Sequence, residues 1–315
     1  MYFSPGEAMI DFKNKSLTAV RIFAILLLVY LIFMRDFAYA GAVRGMKICT
    51  EVILPAVFPF SVAADLLVRC GLCSAVGGVT PNFLRKAFGF SPAGMGAYYV
   101  GILGGYPSGA SAAGELYTSG QITKNEASRL NAVSNNPSFA YAFMLGKAVT
   151  GYDAGGIICW LSVILSSVIV SLLIRSDDHA NANTARVNSG TGILNGAIRH
   201  SAYSVLCISG SVIFFSAVGE GALQLPISDL FSSLLLSLCE ITSGLDRVIL
   251  LDLPCGLLLS VTAFLLSLSG LCIFFQVSEI SLSAGVDVKR YLFAKPLQAV
   301  ISFLLAWAMF TVFLQ

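Results

Sequence analysis

Residues 101–115, Gly-Ile-Leu-Gly-Gly-Tyr-Pro-Ser-Gly-Ala-Ser-Ala-Ala-Gly-Glu, set five glycines and a proline inside an apolar span. A helix facing lipid cannot hold such an interruption, because each N–H or C=O it releases costs several kcal/mol in hydrocarbon. Non-helical backbone at membrane depth survives where it is buried in protein or lines a cavity. The run therefore points to an internal site, and through it towards transport.

That the surroundings are membrane follows from composition. The chain has 315 residues, 57% hydrophobic and only 11% charged, with a mean hydropathy of +0.83. Soluble domains carry about 25% charged residues, so this chain could not cover its surface in water. The expected fold is an all-α polytopic membrane protein. A net charge of +2 gives no basic field for nucleic acid and no reason for a strongly charged partner. The partners expected are the lipid bilayer and a small-molecule substrate; assembly as a homo-oligomer is left open. Eight cysteines lie mostly in apolar stretches, and the pair Cys70-Gly-Leu-Cys73 lacks a second pair or nearby histidines at zinc spacing. They read as packing residues, with no metal site.

Residues 1–45 read as a polar, disordered or interfacial start followed by a first transmembrane helix. Its apolar core and the Ala38-Tyr39-Ala40 that follows have a signal-peptide outline, but Arg35 and Asp36 fall between them, so an uncleaved helix is expected. Then come Ile48–Val68 with Pro55 and Pro59 inside it, the glycine-rich segment 93–114, and a short amphipathic helix. That helix is expected to open on Thr123 as N-cap with Glu126 at N3, a capping box. Pro137–Val149 is too short to span alone, whereas Gly155–Ile174 is a full-length helix. A polar linker, 176–198, divides the chain into halves, 46–175 and 199–315. The second half holds His200–Val218, Leu230–Cys239, Val248–Leu268, Leu271–Ile280 and Tyr291–Leu314. The expectation is about seven to nine spans plus re-entrant pieces. Lysines and arginines flank both ends of the first helix, so the orientation is not decided. Ile53–Ser61 can be laid over Val205–Ile213, and each half then carries interrupted, polar-studded segments. Such paired interruptions point to a transporter binding site.

Gly101, Gly105 and Gly109 share one helical face, which permits close backbone approach. Pro107 removes an N–H and clashes with the preceding turn, so the helix is expected to unwind around Gly104–Ser108. The tip would present peptide dipoles and the Ser108 and Ser111 hydroxyls. It is neither a P-loop nor a dinucleotide fingerprint. Asn135-Asn136-Pro137-Ser138 offers two amides, a hydroxyl and a proline that can start a half-helix, whose N-terminus suits an anionic group. A surface turn is the competing reading, opposed by the apolar continuation FAYAFMLG. In the second half, Glu240 ends an apolar run, where a carboxylate costs about 2.5–3.5 kcal/mol near the bilayer centre. It is either interfacial or a ligand for substrate or coupling ion. Gln276 is a similar intrusion and Asp252 a weaker one. Lys147, Asp153, Glu220 and Asp246 read as ends of spans, and His179 and His200 as structural. No Ser/His/Asp, HExxH or paired-carboxylate constellation is visible, so no enzyme activity is expected. No cofactor is expected, and a coupling ion, Na+ or H+, is left open.

The set GGYPSGA (104–110), EASRLNAVSNNPSF (126–139), EITSG (240–244) and SGLCIFFQV (269–277) resembles the sporulation integral membrane protein YlbJ family, also called stage V sporulation protein V. That family belongs to the nucleoside-recognition or "Gate" domain membrane proteins. The likeness runs from about residue 46 to the C-terminus in the family's order and spacing. It implies a fold like that of concentrative nucleoside transporters: two Gate-type repeats, 46–175 and 199–315, with re-entrant or broken helices. It also implies a role in moving dipicolinic acid across the outer forespore membrane during sporulation. The positions it carries over are Gly105, Tyr106, Pro107, Gly109, Asn135, Asn136, Glu240, Thr242, Gly244 and Gln276. Pro137-Ser138 after the asparagine pair and the apolar CIFF before Gln276 depart from the usual pattern.

Together these give a secondary transporter of a small anionic solute. The expected substrate-binding residues are Gly104, Gly105, Tyr106, Pro107, Ser108, Gly109, Asn135, Asn136, Ser138, Glu240, Thr242, Ser243 and Gln276. Half-helix N-termini and the Asn135 and Asn136 amides would grip carboxylates, Glu240 and Thr242 completing the site. The alternatives are a nucleoside-type transporter and a non-transporting component of spore-envelope assembly.

Overall fold

The computed structural model describes residues 5–176 and 192–314, and every regular element among them is helical. Most of the polar linker, with His179, lies outside the described residues. The start of the chain is already helical: α1 (Pro5–Phe33) turns through 98° into α2 (Arg35–Ile48). That helix continues through a π-helical stretch, Cys49–Val57, into α3 (Phe58–Arg69). Pro55 lies in the π stretch, where the widened turn accommodates a residue with no N–H to give. A second sharp bend, 91°, leads to α4 (Leu72–Gly78), followed by α5 (Asn82–Phe88).

The glycine-rich segment forms two half-helices, α6 (Pro92–Gly104) and α7 (Ser108–Thr118). Between them Gly105 takes φ 78°, ψ 179°, a backbone state closed to residues with a Cβ. Gly101 and Gly109 meet a different demand. A Cβ on either would collide with Ser134 of α8 (Lys124–Ser134), so the glycine face lets α6, α7 and α8 meet backbone to backbone. The break expected at Gly104–Ser108 is thus present, and packing and turning are shared between different glycines of one stripe.

α8 departs from the amphipathic expectation. Thr123 caps it as read, its hydroxyl accepting from Glu126 N at 3.1 Å, but every residue from Glu126 to Ser134 is buried. Its charges are met by other chain termini: Glu126 accepts from Ser91 N, and Arg129 donates to the carbonyls of Phe88 and Gly89. Residues 135–138 then run extended, since the residue before a proline avoids the α region. Ser138 caps α9 (Phe139–Thr150), accepting from Tyr141 N at 3.4 Å. The long helix α10 (Asp153–Leu173) follows.

After the linker come α11 (Ile193–Gly219), a 3-10 turn, and α12 (Asp229–Cys239). Glu240 then breaks the helix at φ −139°, ψ 116° before α13 (Ile241–Val248). The apolar run read as Val248–Leu268 begins at Cys255 instead, because Pro254 separates α13 from α14 (Cys255–Leu268). Ser269 at φ 74° and Gly270 at φ 71° mark the junction with α15 (Gly270–Ser283), and α16 (Lys289–Phe313) ends the chain.

Among the described residues four helical stretches are long and apolar enough to cross a membrane, or up to six if each bent pair is one span. That is fewer than expected from the sequence, because segments such as α9 and α12 are half-helices stopping at breaks inside the protein. The segments laid over one another by eye are neighbours: Ile48 and Ile53 pack with Val205, Ile208 and Val212 in one apolar cluster.

Candidate functional site

Three of the breaks open onto one cavity of about 120 Å³. Gly104, Gly105 and Tyr106 come from the α6–α7 turn, Ser138 and Tyr141 from the start of α9, and Glu240 and Thr242 from the start of α13. Gln276 and Cys272 of α15 add a fourth wall. The rest is apolar: Ile48, Val52, Ile53 and Val57 from the π-helical region, with Ile208 and Val212 of α11.

Glu240 is 2% exposed and serves first as a cap. Its two oxygens accept separately, from Thr242 N at 3.0 Å and Ser243 N at 2.7 Å. This satisfies the donors that a helix start leaves unpaired. Gly244 closes the same corner, where a Cβ would run into the Ser237 backbone of α12. Tyr106 reaches across the interior to donate to Leu266 O at 3.3 Å, and Gln276 Nε2 contacts Cys272 Sγ at 3.2 Å. The Tyr141 hydroxyl is buried beside Thr242 and has no hydrogen-bond partner.

The other residues singled out from the sequence stand behind this lining. Gly109 packs on Ser134, and Ser243 lies buried with its hydroxyl 3.4 Å from that of Ser216. Pro107 and Ser108 face a separate small void of about 20 Å³. Asn135 and Asn136 are fully buried and committed to structure. Asn135 Oδ1 accepts from Ala110 N at 3.0 Å and its Nδ2 donates to Asn131 O at 2.8 Å, fastening α7 to the end of α8. Asn136 donates to Val133 O at 2.7 Å and accepts from Gln298 Nε2 at 2.7 Å. The pair braces the break rather than lining the cavity.

Sequence reasoning missed three features. Tyr141 could have been found by fixing Ser138 as N-cap and asking which first-turn side chain looks back to the break. Lys295 and Gln298, which hold the asparagine pair, carry no local signal. The third is a charged cluster at the mouth of the small void, in which Arg69 lies 2.7 Å from Asp65 and 3.2 Å from Glu115. His200 Nδ1 is 3.6 Å from Asp65 Oδ1 and 3.7 Å from Glu115 Oε1. Donor atoms of Asp65, Glu115 and His200 fall within 4.8 Å of one another, but the Arg69 guanidinium already supplies the positive charge between the carboxylates. An open groove of about 390 Å³ runs from Glu115 and His200 past Tyr203 and Glu279 to Gln276 and Ile208, which it shares with the main cavity.

No family model matches the chain, and no solved structure matches it. A curated protein of Bacillus subtilis (strain 168), the sporulation integral membrane protein YlbJ, is 25% identical over 309 residues, covering 84% of this chain and 75% of its own length. The chain is similar to YlbJ along most of its length. The YlbJ resemblance carried by the four motifs is borne out by this match. With its four to six candidate spans and an integral membrane relative in YlbJ, the chain is a multi-pass α-helical membrane protein.

Proposed function

We propose that the chain is a secondary transporter of a small, single-ring anionic solute, dipicolinic acid foremost, moved across the outer forespore membrane during sporulation. The observation carrying this reading is the convergence of three helix breaks, from both halves of the chain, on one cavity. The element order supports two Gate-type repeats. A long helix (α2–α3, then α11) is followed by two interrupted helices (α6–α7 and α8–α9, then α12–α13 and α14–α15) and a closing long helix (α10, then α16).

The chemistry available favours carboxylate recognition at one end. The α9 N-terminus, with its partial positive charge and the Ser138 and Tyr141 hydroxyls, is open to the cavity. The α13 N-terminus is already taken by Glu240, so Thr242 contributes its hydroxyl there. Substrate contacts thus move from the asparagine amides to Ser138, Tyr141 and Thr242, with Asn135 and Asn136 holding the break in shape. Apolar Ile53, Val57 and Val212 receive the ring face. Exchange of access follows from one half rocking against the other around this point. No step of this mechanism is enzymatic.

Size separates the main reading from the nucleoside alternative. A cavity of about 120 Å³ holds about four waters' worth of liquid volume and is well below the roughly 300–1,000 Å³ of pockets for drug-sized ligands. One ring with two carboxylates fits it; a base joined to a ribose needs it widened. A thermal-shift panel on detergent-purified protein tests the choice. Dipicolinate should raise the melting temperature saturably, uridine should not, and Tyr141→Phe should weaken the dipicolinate response at least fivefold while melting normally on its own. Stabilisation by nucleosides alone overturns the assignment; stabilisation by neither favours the non-transporting component.

A further inference from the structure

Lys295, on α16, is 2% exposed and ends at the α8–α9 break. Its Nζ donates to three oxygens: Asn135 O, Gln298 Oε1 at 3.0 Å and Asn136 Oδ1 at 3.4 Å. An ammonium has three N–H donors, so donors and acceptors match one for one. Among the described residues no carboxylate pairs with it. The Tyr291 ring, with its centroid 5.6 Å from Nζ, presents a further surface that attracts cations.

A buried positive charge with no counter-ion is costly, so what surrounds it must do a counter-ion's work. Here the surroundings are a backbone carbonyl at the C-terminal, negative end of α8 and two side-chain amide oxygens. Carbonyls released at an unwound helix end are the groups with which broken-helix transporters coordinate a monovalent cation. The same ligands are tied to each other and to α10, since Gln298 Nε2 donates to Asn136 Oδ1 at 2.7 Å and to Val163 O at 3.3 Å. The oxygens are therefore held in place whether or not the amine is present.

We propose that the α8–α9 break is a monovalent-cation site permanently filled by the chain itself, the Lys295 ammonium standing where a free Na+ or K+ would otherwise bind. This site then takes no ion from solution, and the charge that braces the break comes from α16, in the other half of the chain. The proposal rests on the Lys295 geometry and not on any solute being transported.

The test uses the full-length chain in detergent. Wild type and Lys295→Ala are melted in NaCl, KCl and NH4Cl, each against choline chloride at equal ionic strength. Wild type should melt at the same temperature in all four salts. Lys295→Ala should gain a saturable upward shift of about 3–4 °C in at least one small cation and none in choline. Lys295→Arg, which keeps the charge, should be as indifferent to salt as wild type. A Lys295→Ala protein that is monodisperse with a small cation and aggregates in choline supports the proposal. One that melts identically, or aggregates identically, in all four salts overturns it, as does an equal cation response in wild type or in Lys295→Arg. Because no solute is present, these outcomes are independent of whether dipicolinate is the substrate.

Discussion

Glu240→Gln isolates what the carboxylate does at the cavity wall. The native side chain gives one oxygen to Thr242 N and the other to Ser243 N, at 3.0 and 2.7 Å. Glutamine keeps the volume but has one oxygen, and its NH2 group must then face a backbone N–H. Hydrogen bonds to a charged group contribute about 1.5–3 kcal/mol, and a buried donor left unpaired costs about 1–3 kcal/mol. One bond is lost and one donor is opposed, so the net loss is about 2–3 kcal/mol. For a chain of 315 residues, an unfolding entropy of about 2.1 cal/mol/K per residue makes that a fall of roughly 3–5 °C in melting temperature. Intrinsic fluorescence of Trp160 and Trp307 during a thermal ramp in detergent reads the shift. Glu240→Asp, which keeps both oxygens and is a good N-cap, should lose less than Glu240→Gln. If Glu240→Gln melts at or above wild type while Glu240→Asp falls, the carboxylate does not hold two amides and the capping argument fails.

Two further substitutions check the packing and the charged cluster. Gly109→Ala pushes a methyl into the Ser134 hydroxyl and backbone, and should destabilise by about 1–3 kcal/mol, whereas Gly78→Ala, with nothing within 4 Å, should be neutral or mildly stabilising; thermal melting of both decides. Arg69→Leu leaves Asp65 and Glu115 facing each other without their guanidinium and should cost about 2 kcal/mol, discounted from the fully buried case because Arg69 is partly exposed. Adding Glu115→Gln to it should recover much of that loss, since one of the two opposed charges is then gone.

The breaks were legible in the sequence because their causes are local. Pro107 and Gly105 dictate their own turn, Pro137 forces Asn136 out of the helix, and Ser138 and Thr123 cap whatever follows them. What hydropathy cannot distinguish is a half-helix from a short span, and the count of crossings was too high for that reason. The role of the asparagine pair was hidden for another. Asn135 meets Lys295 across 160 positions of chain, and no spacing rule reaches that far. His200 looked structural alone, and only folding brings it to Asp65 and Glu115. α8 looked like a surface helix because its polar residues resemble solvated ones, yet each finds a partner inside.

The most direct test of the central claim is solute entry into liposomes. Purified protein is reconstituted, and uptake of labelled dipicolinate is followed beside labelled uridine and protein-free vesicles. The cavity geometry predicts time-dependent, saturable dipicolinate entry, at least fivefold slower in Tyr141→Phe, with uridine at the protein-free rate. Dipicolinate entry at the protein-free rate, from protein shown to be folded and inserted, would contradict the account.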